Sequence, residues 1–161
     1  MRVAVDTNVL IAGTLFPRWP YEVLQHALRG DFDLILSPVV IREAERNITR
    51  RFPAFQQQFS DFLTLVPHEI APLPTPEEVT ANKGLVRQDN DVPIAVSIIA
   101  AQVDYFVTTD RDFTDRDETT IQIHAALPGI ILPAVFLRTV MNWTSEELER
   151  IRNRQWSDLP E

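Results

Sequence analysis

The chain has no cysteine. That absence removes disulfides, thiolate metal sites and cysteine nucleophiles from consideration, and nothing in it opposes a reducing compartment. No apolar run reaches the roughly 18 residues that a membrane-crossing helix needs. The N-terminus carries no secretory pattern, because Arg2 leads at once into Val3-Ala-Val-Asp6, with acids and prolines soon after. A cytoplasmic protein with no membrane partner is therefore expected. Positive charge is also scarce: 15 basic residues face 23 acidic ones, for a net charge of −8. A protein held on phosphates by counterion release ordinarily shows a basic balance or patch, so tight non-specific duplex binding is disfavoured.

What is present is an ordinary globular composition. The 161 residues are 45% hydrophobic and 9% aromatic, enough for one domain with a full core over 1–161. Short apolar stretches at Arg2–Val5, Leu34–Leu36 and Tyr105–Thr108 read as buried strands, and either Ile121–His124 or Ile130–Leu132 supplies another. Helical spacing covers 20–30, with Gly30 as its stop. Ser37 reads as an N-cap with Pro38 at the first helical position, opening a helix to about Arg51. Pro53 separates it from another amphipathic helix over 54–65. Residues 67–76 carry four prolines and read as a surface connection. A brief helix follows from Pro76 to about Lys83, and Asp91 caps another that runs to about Gln102. Thr144-Ser-Glu-Glu147 is a capping-box pattern for a last helix to about Gln155. Strands alternating with helices predict an α/β fold, a three-layer α/β/α sandwich around a parallel sheet covered on both faces.

Four acidic signatures punctuate this pattern: Val-Ala-Val-Asp6-Thr-Asn8, Ser37-Pro-Val-Val-Ile-Arg-Glu43, Asp89-Asn-Asp91-Val-Pro-Ile-Ala, and Phe-Val-Thr108-Thr-Asp110-Arg-Asp112. Sites in open α/β sheets form beyond the carboxyl ends of the strands. Asp6 and Asp110 each follow a strand, Asp91 opens a helix, and Glu43 lies about a turn and a half into one. Singly, each has a bland reading as a strand-ending turn, a solvated helix residue or a helix cap. Jointly they place like charges at one edge, a costly arrangement unless a divalent cation neutralises it. Mg²⁺ or Mn²⁺ is the cation such carboxylates suit, and metal-assisted phosphodiester hydrolysis is the chemistry it points to.

From Val3 to about Phe136 the chain resembles a PIN domain, the ribonuclease module of VapC-type toxins in toxin–antitoxin pairs. The resemblance rests on the four signatures, on Asp91-x2-Ile-Ala and on the closing Ile-Leu132-Pro-Ala-x-Phe-Leu. It implies a metal-binding catalytic quartet of Asp6, Glu43, Asp91 and Asp110, with Asn8 and Thr108 as polar helpers. Asp89 also lies near the third position, although the register favours Asp91. Asp112 resembles the family's second acid after the last strand, in an outer role. A Mg²⁺-dependent ribonuclease, an antitoxin partner and a homodimer are what the resemblance implies. The segment from 136 to 161 lies beyond the recognised pattern, with Trp143 and Trp156 flanking its helix as packing or dimer residues.

Arg42, Arg46 and Arg50 recur at helical spacing beside Glu43, as a phosphate-gripping strip or simply a solvated face. A phosphatase of the haloacid dehalogenase type is a rival reading, but it would prefer Asp-x-Asp where this chain has Asp6-Thr-Asn8. A catalytically silent module that binds RNA or protein is the other, and an intact quartet argues against it. His26, His68 and His124 are scattered and are assigned no catalytic or ligand role.

Overall fold

The strand that runs down the middle of the protein is apolar wherever it meets other elements. Arg2–Val5 form β1, and Val3, Ala4 and Val5 are fully buried, as expected of a strand covered on both faces. The computed structural model describes residues 1–160. After β1 come α1 (Thr7–Leu15), α2 (Trp19–Leu28), β2 (Asp33–Leu36), α3 (Pro38–Arg51) and α4 (Gln56–Leu65). The chain continues through β3 (His68–Ile70), α5 (Pro76–Ala81), α6 (Val92–Ala100) and β4 (Tyr105–Val107). It ends with α7 (Arg111–Thr114), α8 (Ile121–Ala126), β5 (Ile130–Ile131), α9 (Pro133–Thr139) and α10 (Ser145–Ile151).

The five strands form one parallel sheet in the order β3-β2-β1-β4-β5, flanked by helices as the three-layer expectation required. Chain order reverses between β1 and β4, so the crevice of this open sheet lies beyond the carboxyl ends of those two strands. Val5 is in register with Val107. The next residues, Asp6 and Thr108, therefore emerge side by side, and the Asp6 amide donates to the Val107 carbonyl at 3.0 Å.

Local signals in the sequence explain most boundaries. Ser37 caps α3 by accepting from the Val39 amide, with Pro38 at the first position. Thr144 and Glu147 close the expected capping box on α10. Three expectations need correction. Residues 68–70, inside the proline-rich connection, add β3 to the sheet edge, an exposed strand whose side chains give no buried stripe to read. Ile121–Ala126 is helical, so the fifth strand is Ile130–Ile131 alone, paired with Phe106 and Val107. α1 was not anticipated: Val9-Leu-Ile-Ala is apolar on nearly every side, and a helix buried that way shows no amphipathic period. Gly13 lets α2 approach, since a Cβ there would meet Leu24 Cδ1 at 2.5 Å.

Residues 140–160 fold back over α1 and α2 as a clasp. Trp156 Nε1 donates to the Leu15 carbonyl at 2.8 Å and packs edge-on against Tyr21. Arg154 donates to the Pro17 carbonyl and pairs with Glu22 at 2.7 Å. Trp143 donates to His26 Nε2. Both tryptophans thus pack within the chain.

Candidate metal-binding site at the carboxyl edge

Asp6 is almost completely buried at 4% exposure, a costly place for a carboxylate unless its oxygens find donors. They do. As the N-cap of α1 it accepts from the Thr7 amide at 2.8 Å through Oδ1, where the helix dipole also favours negative charge. Its Oδ2 accepts from the buried Thr108 hydroxyl at 2.7 Å. That hydroxyl oxygen in turn accepts from the Asp110 amide at 3.0 Å, linking the ends of β1 and β4. Glu43, on α3, accepts from the Thr7 hydroxyl at 2.9 Å. A continuous chain of contacts therefore runs from Glu43 through Thr7, Asp6 and Thr108 to Asp110.

Asp91, Asp110 and Asp112 complete the edge, each offering an oxygen within 4.8 Å of the others. Asp91 was expected to cap α6, but its side chain makes no capping bond and is left to the cluster. Asp110 instead caps the short α7, accepting from the Asp112 amide at 2.8 Å. Burial pushes the Asp6 carboxyl up to about 6, against the pull of its Thr108 and Thr7 donors, and the fields of Asp110 and Glu43 add to the rise. Burial also raises Asp91, to about 7, helped by the charges of Asp110, Asp6, Asp112 and Glu43. Among the described residues, Arg87 alone forms an ion pair with a member of this group, touching Asp112.

The quartet expected from sequence is thus brought to one edge, joined by Asp112. Two other expected residues make no side-chain hydrogen bond with that group among the described residues. Asn8 is exposed on α1 with no side-chain hydrogen bond among the described residues. The neighbouring Thr7, just inside the helix, turns its hydroxyl toward Glu43 instead. Asp89 is exposed in the 3₁₀ turn before α6, outside the three-carboxylate group. Thr7 was missed because a buried threonine after a helix-capping aspartate looks like local capping chemistry.

Hard carboxylate oxygens converging at this spacing suit a divalent cation such as Mg²⁺ or Mn²⁺, which would offset both the burial and the repulsion that raise Asp6 and Asp91. Fold and site together define a parallel α/β protein with an acidic cluster at its topological switch point. Residues 2–112 match the PIN domain family, and the chain belongs to that family, whose members are usually nucleases. The match ends at the last acid of the cluster. Two solved structures share the fold. One is PAE2754 from Pyrobaculum aerophilum, with 15% identity over 89% of this chain and 91% of that one, at a TM-score of 0.60. The other is VapBC2 from Rickettsia felis bound to a DNA fragment from their promoter, with 20% identity over 82% and 97%, at 0.54. No curated protein matches the sequence.

Proposed function

We propose that the protein is a divalent-metal-dependent ribonuclease that hydrolyses RNA phosphodiester bonds at the carboxyl edge. The observation that carries this reading is the convergence of Asp6, Glu43, Asp91, Asp110 and Asp112 at the switch point of a PIN-family sheet. Asp6, Asp91 and Asp110 would hold Mg²⁺ or Mn²⁺, with Glu43 placed for a second ion or for the attacking water. Such an ion supplies an activated water and offsets charge that develops on the phosphate. The chain's own residues do the rest. The Thr108 hydroxyl would orient Asp6, and the Thr7 hydroxyl would orient Glu43.

Substrate would be held by α3. Arg42, Arg46 and Arg50 are exposed, and neither they nor Arg51 form an ion pair or hydrogen bond among the described residues. At four-residue spacing they form a row about 12 Å long that begins beside Glu43. This strip reconciles an acidic chain with a polyanionic substrate, because most other arginines are already paired. The likeness in fold to VapBC2 supports a toxin role with an antitoxin partner. Among the described residues no helix is long and apolar enough to cross a membrane, in keeping with action in the cytoplasm. The chain would act as one PIN unit, with residues 136–160 bracing α1 and α2, and as a homodimer.

The phosphatase reading lacks support, since Asn8 occupies the place where an Asp-x-Asp motif needs its second acid. Asp6→Asn and Asp110→Asn are each expected to abolish Mg²⁺-dependent cleavage of single-stranded RNA while circular dichroism stays native. Full metal-dependent cleavage by either purified variant would sink the assignment. Turnover of p-nitrophenyl phosphate in place of RNA would transfer it to the phosphatase class.

A further inference from the structure

Arg87 lies four residues before Asp91, in the segment that joins α5 to α6, yet every polar partner of its side chain lies in 111–119. Its Nε donates to Asp112 Oδ1 at 3.0 Å. Nη2 donates to the Arg111 carbonyl at 2.6 Å and to Asp115 Oδ2 at 3.2 Å. Nη1 reaches the Thr119 hydroxyl at 3.4 Å and Asp117 Oδ2 at 3.7 Å. Its side chain is 23% exposed, far more sheltered than that of Arg111 at 85%. It therefore connects two segments, one carrying Asp91 and the other Asp110 and Asp112. Its contacts with Asp112 use Oδ1 only, leaving Oδ2 outside the fork.

We propose that Arg87 is a positioning residue, a fork that locks the Asp91 segment against the Asp110–Asp112 turn and so preforms the divalent-cation site. This rests on the metal reading given above. Two effects of Arg87 on a cation oppose each other. Its charge repels the cation, so removing it should tighten binding. Its geometry holds three like-charged carboxylates within reach of one ion, so removing it should weaken binding. Geometry wins here because Asp115 and Asp117, which also lie against the guanidinium, already compensate its charge. Among the described residues no other hydrogen bond or ion pair ties residues 85–91 to 110–119. A planar five-donor fork suits this task, and an ammonium group would not reproduce it.

The test is Mn²⁺ binding to the purified full chain, read by the electron paramagnetic resonance signal of free Mn²⁺, beside thermal melting without metal. Arg87→Gln is expected to weaken Mn²⁺ about tenfold, the scale seen when groups that orient metal ligands are removed. Arg87→Lys, which keeps the charge, is expected to weaken it about threefold. An unchanged or tighter Mn²⁺ affinity in Arg87→Gln overturns the proposal, even if its melting temperature falls. Should that variant not fold, wild-type affinity in Arg87→Lys overturns it equally. Failure of the wild-type chain to bind Mn²⁺ would remove the metal reading itself, and this role with it.

Discussion

At the clasp, Trp156 Nε1 meets the Leu15 carbonyl, Trp19 Nε1 meets that of Leu148, and Arg154 finds both Pro17 and Glu22. At the carboxyl edge, by contrast, Asp91 and Asp110 face each other with no cation from the chain within ion-pair distance among the described residues. Both regions bring polar groups out of water. The clasp satisfies its groups internally, and so adds stability without needing anything else. The edge leaves charge unbalanced, and its repulsion counts against the folded state until something from outside arrives. Carboxylates gathered without a balancing cation are what a binding site would show and a scaffold would not need.

The largest way to test that contrast is through pH. An unfolded aspartate releases its proton near 3.8, whereas the folded chain holds protons on Asp6 up to about 6 and on Asp91 up to about 7. Across that window the folded state binds more protons than the unfolded state, so these two groups make stability fall as pH rises. Metal-free protein should accordingly melt at a lower temperature at pH 8 than at pH 5, by a free-energy difference on the order of 2 kcal/mol. Mn²⁺ should restore more at pH 8 than at pH 5, because binding must displace those protons. Asp91→Asn should flatten the profile and stabilise the metal-free chain at pH 8. A flat wild-type profile, or an Asp91→Asn variant that melts earlier at pH 8, would show that the edge is as well compensated as the clasp.

The clasp can be broken from the other side. Trp156 is half-buried, packs on Tyr21 and gives its only N–H to Leu15. Trp156→Ala should cost about 2 kcal/mol of stability, from lost apolar burial and one unpaired carbonyl. Cleavage per folded molecule should stay at the wild-type rate, because the contacts lie at the end of α1 opposite Asp6. Urea unfolding followed by a cleavage assay at low denaturant measures both quantities. A loss of cleavage without a loss of stability would mean that the clasp belongs to the site.

Much of this organisation was legible in the sequence, and the exceptions have physical causes. β1 and α3 are announced by local chemistry: a short apolar run for a strand covered on both faces, and a Ser37-Pro38 start for the helix. The acids could be placed because each is tied to a strand end or helix start, and parallel topology turns all such positions to one edge. β3 could not be read, since an exposed edge strand has no buried face to set an alternation. α1 could not, since burial on most sides erases helical period. Arg87 could not either, because its partners lie some 25 residues away and only the folded turn brings them together. Thr108 was found by its place before Asp110, whereas Thr7 was hidden behind its neighbour.

That last pair offers the finest test. Two polar side chains, Thr7 and Asn8, follow Asp6, and motif resemblance favours Asn8 while geometry favours Thr7. Thr7→Val keeps shape but removes the one hydroxyl that, among the described residues, is bonded to Glu43, freeing that carboxylate to leave its position. Cleavage should fall about tenfold, with a stability loss of about 1 kcal/mol. Asn8→Ala removes a solvent-facing amide from the first turn of α1 and should change cleavage by less than about twofold, since alanine is also the better helix former. Steady-state cleavage of one RNA at saturating Mg²⁺ separates the two. The reverse order, with Asn8→Ala crippled and Thr7→Val intact, would return the helper role to Asn8. It would also mean that Asn8 turns inward when substrate is bound, so that the exposed face of α1 belongs to the carboxyl edge.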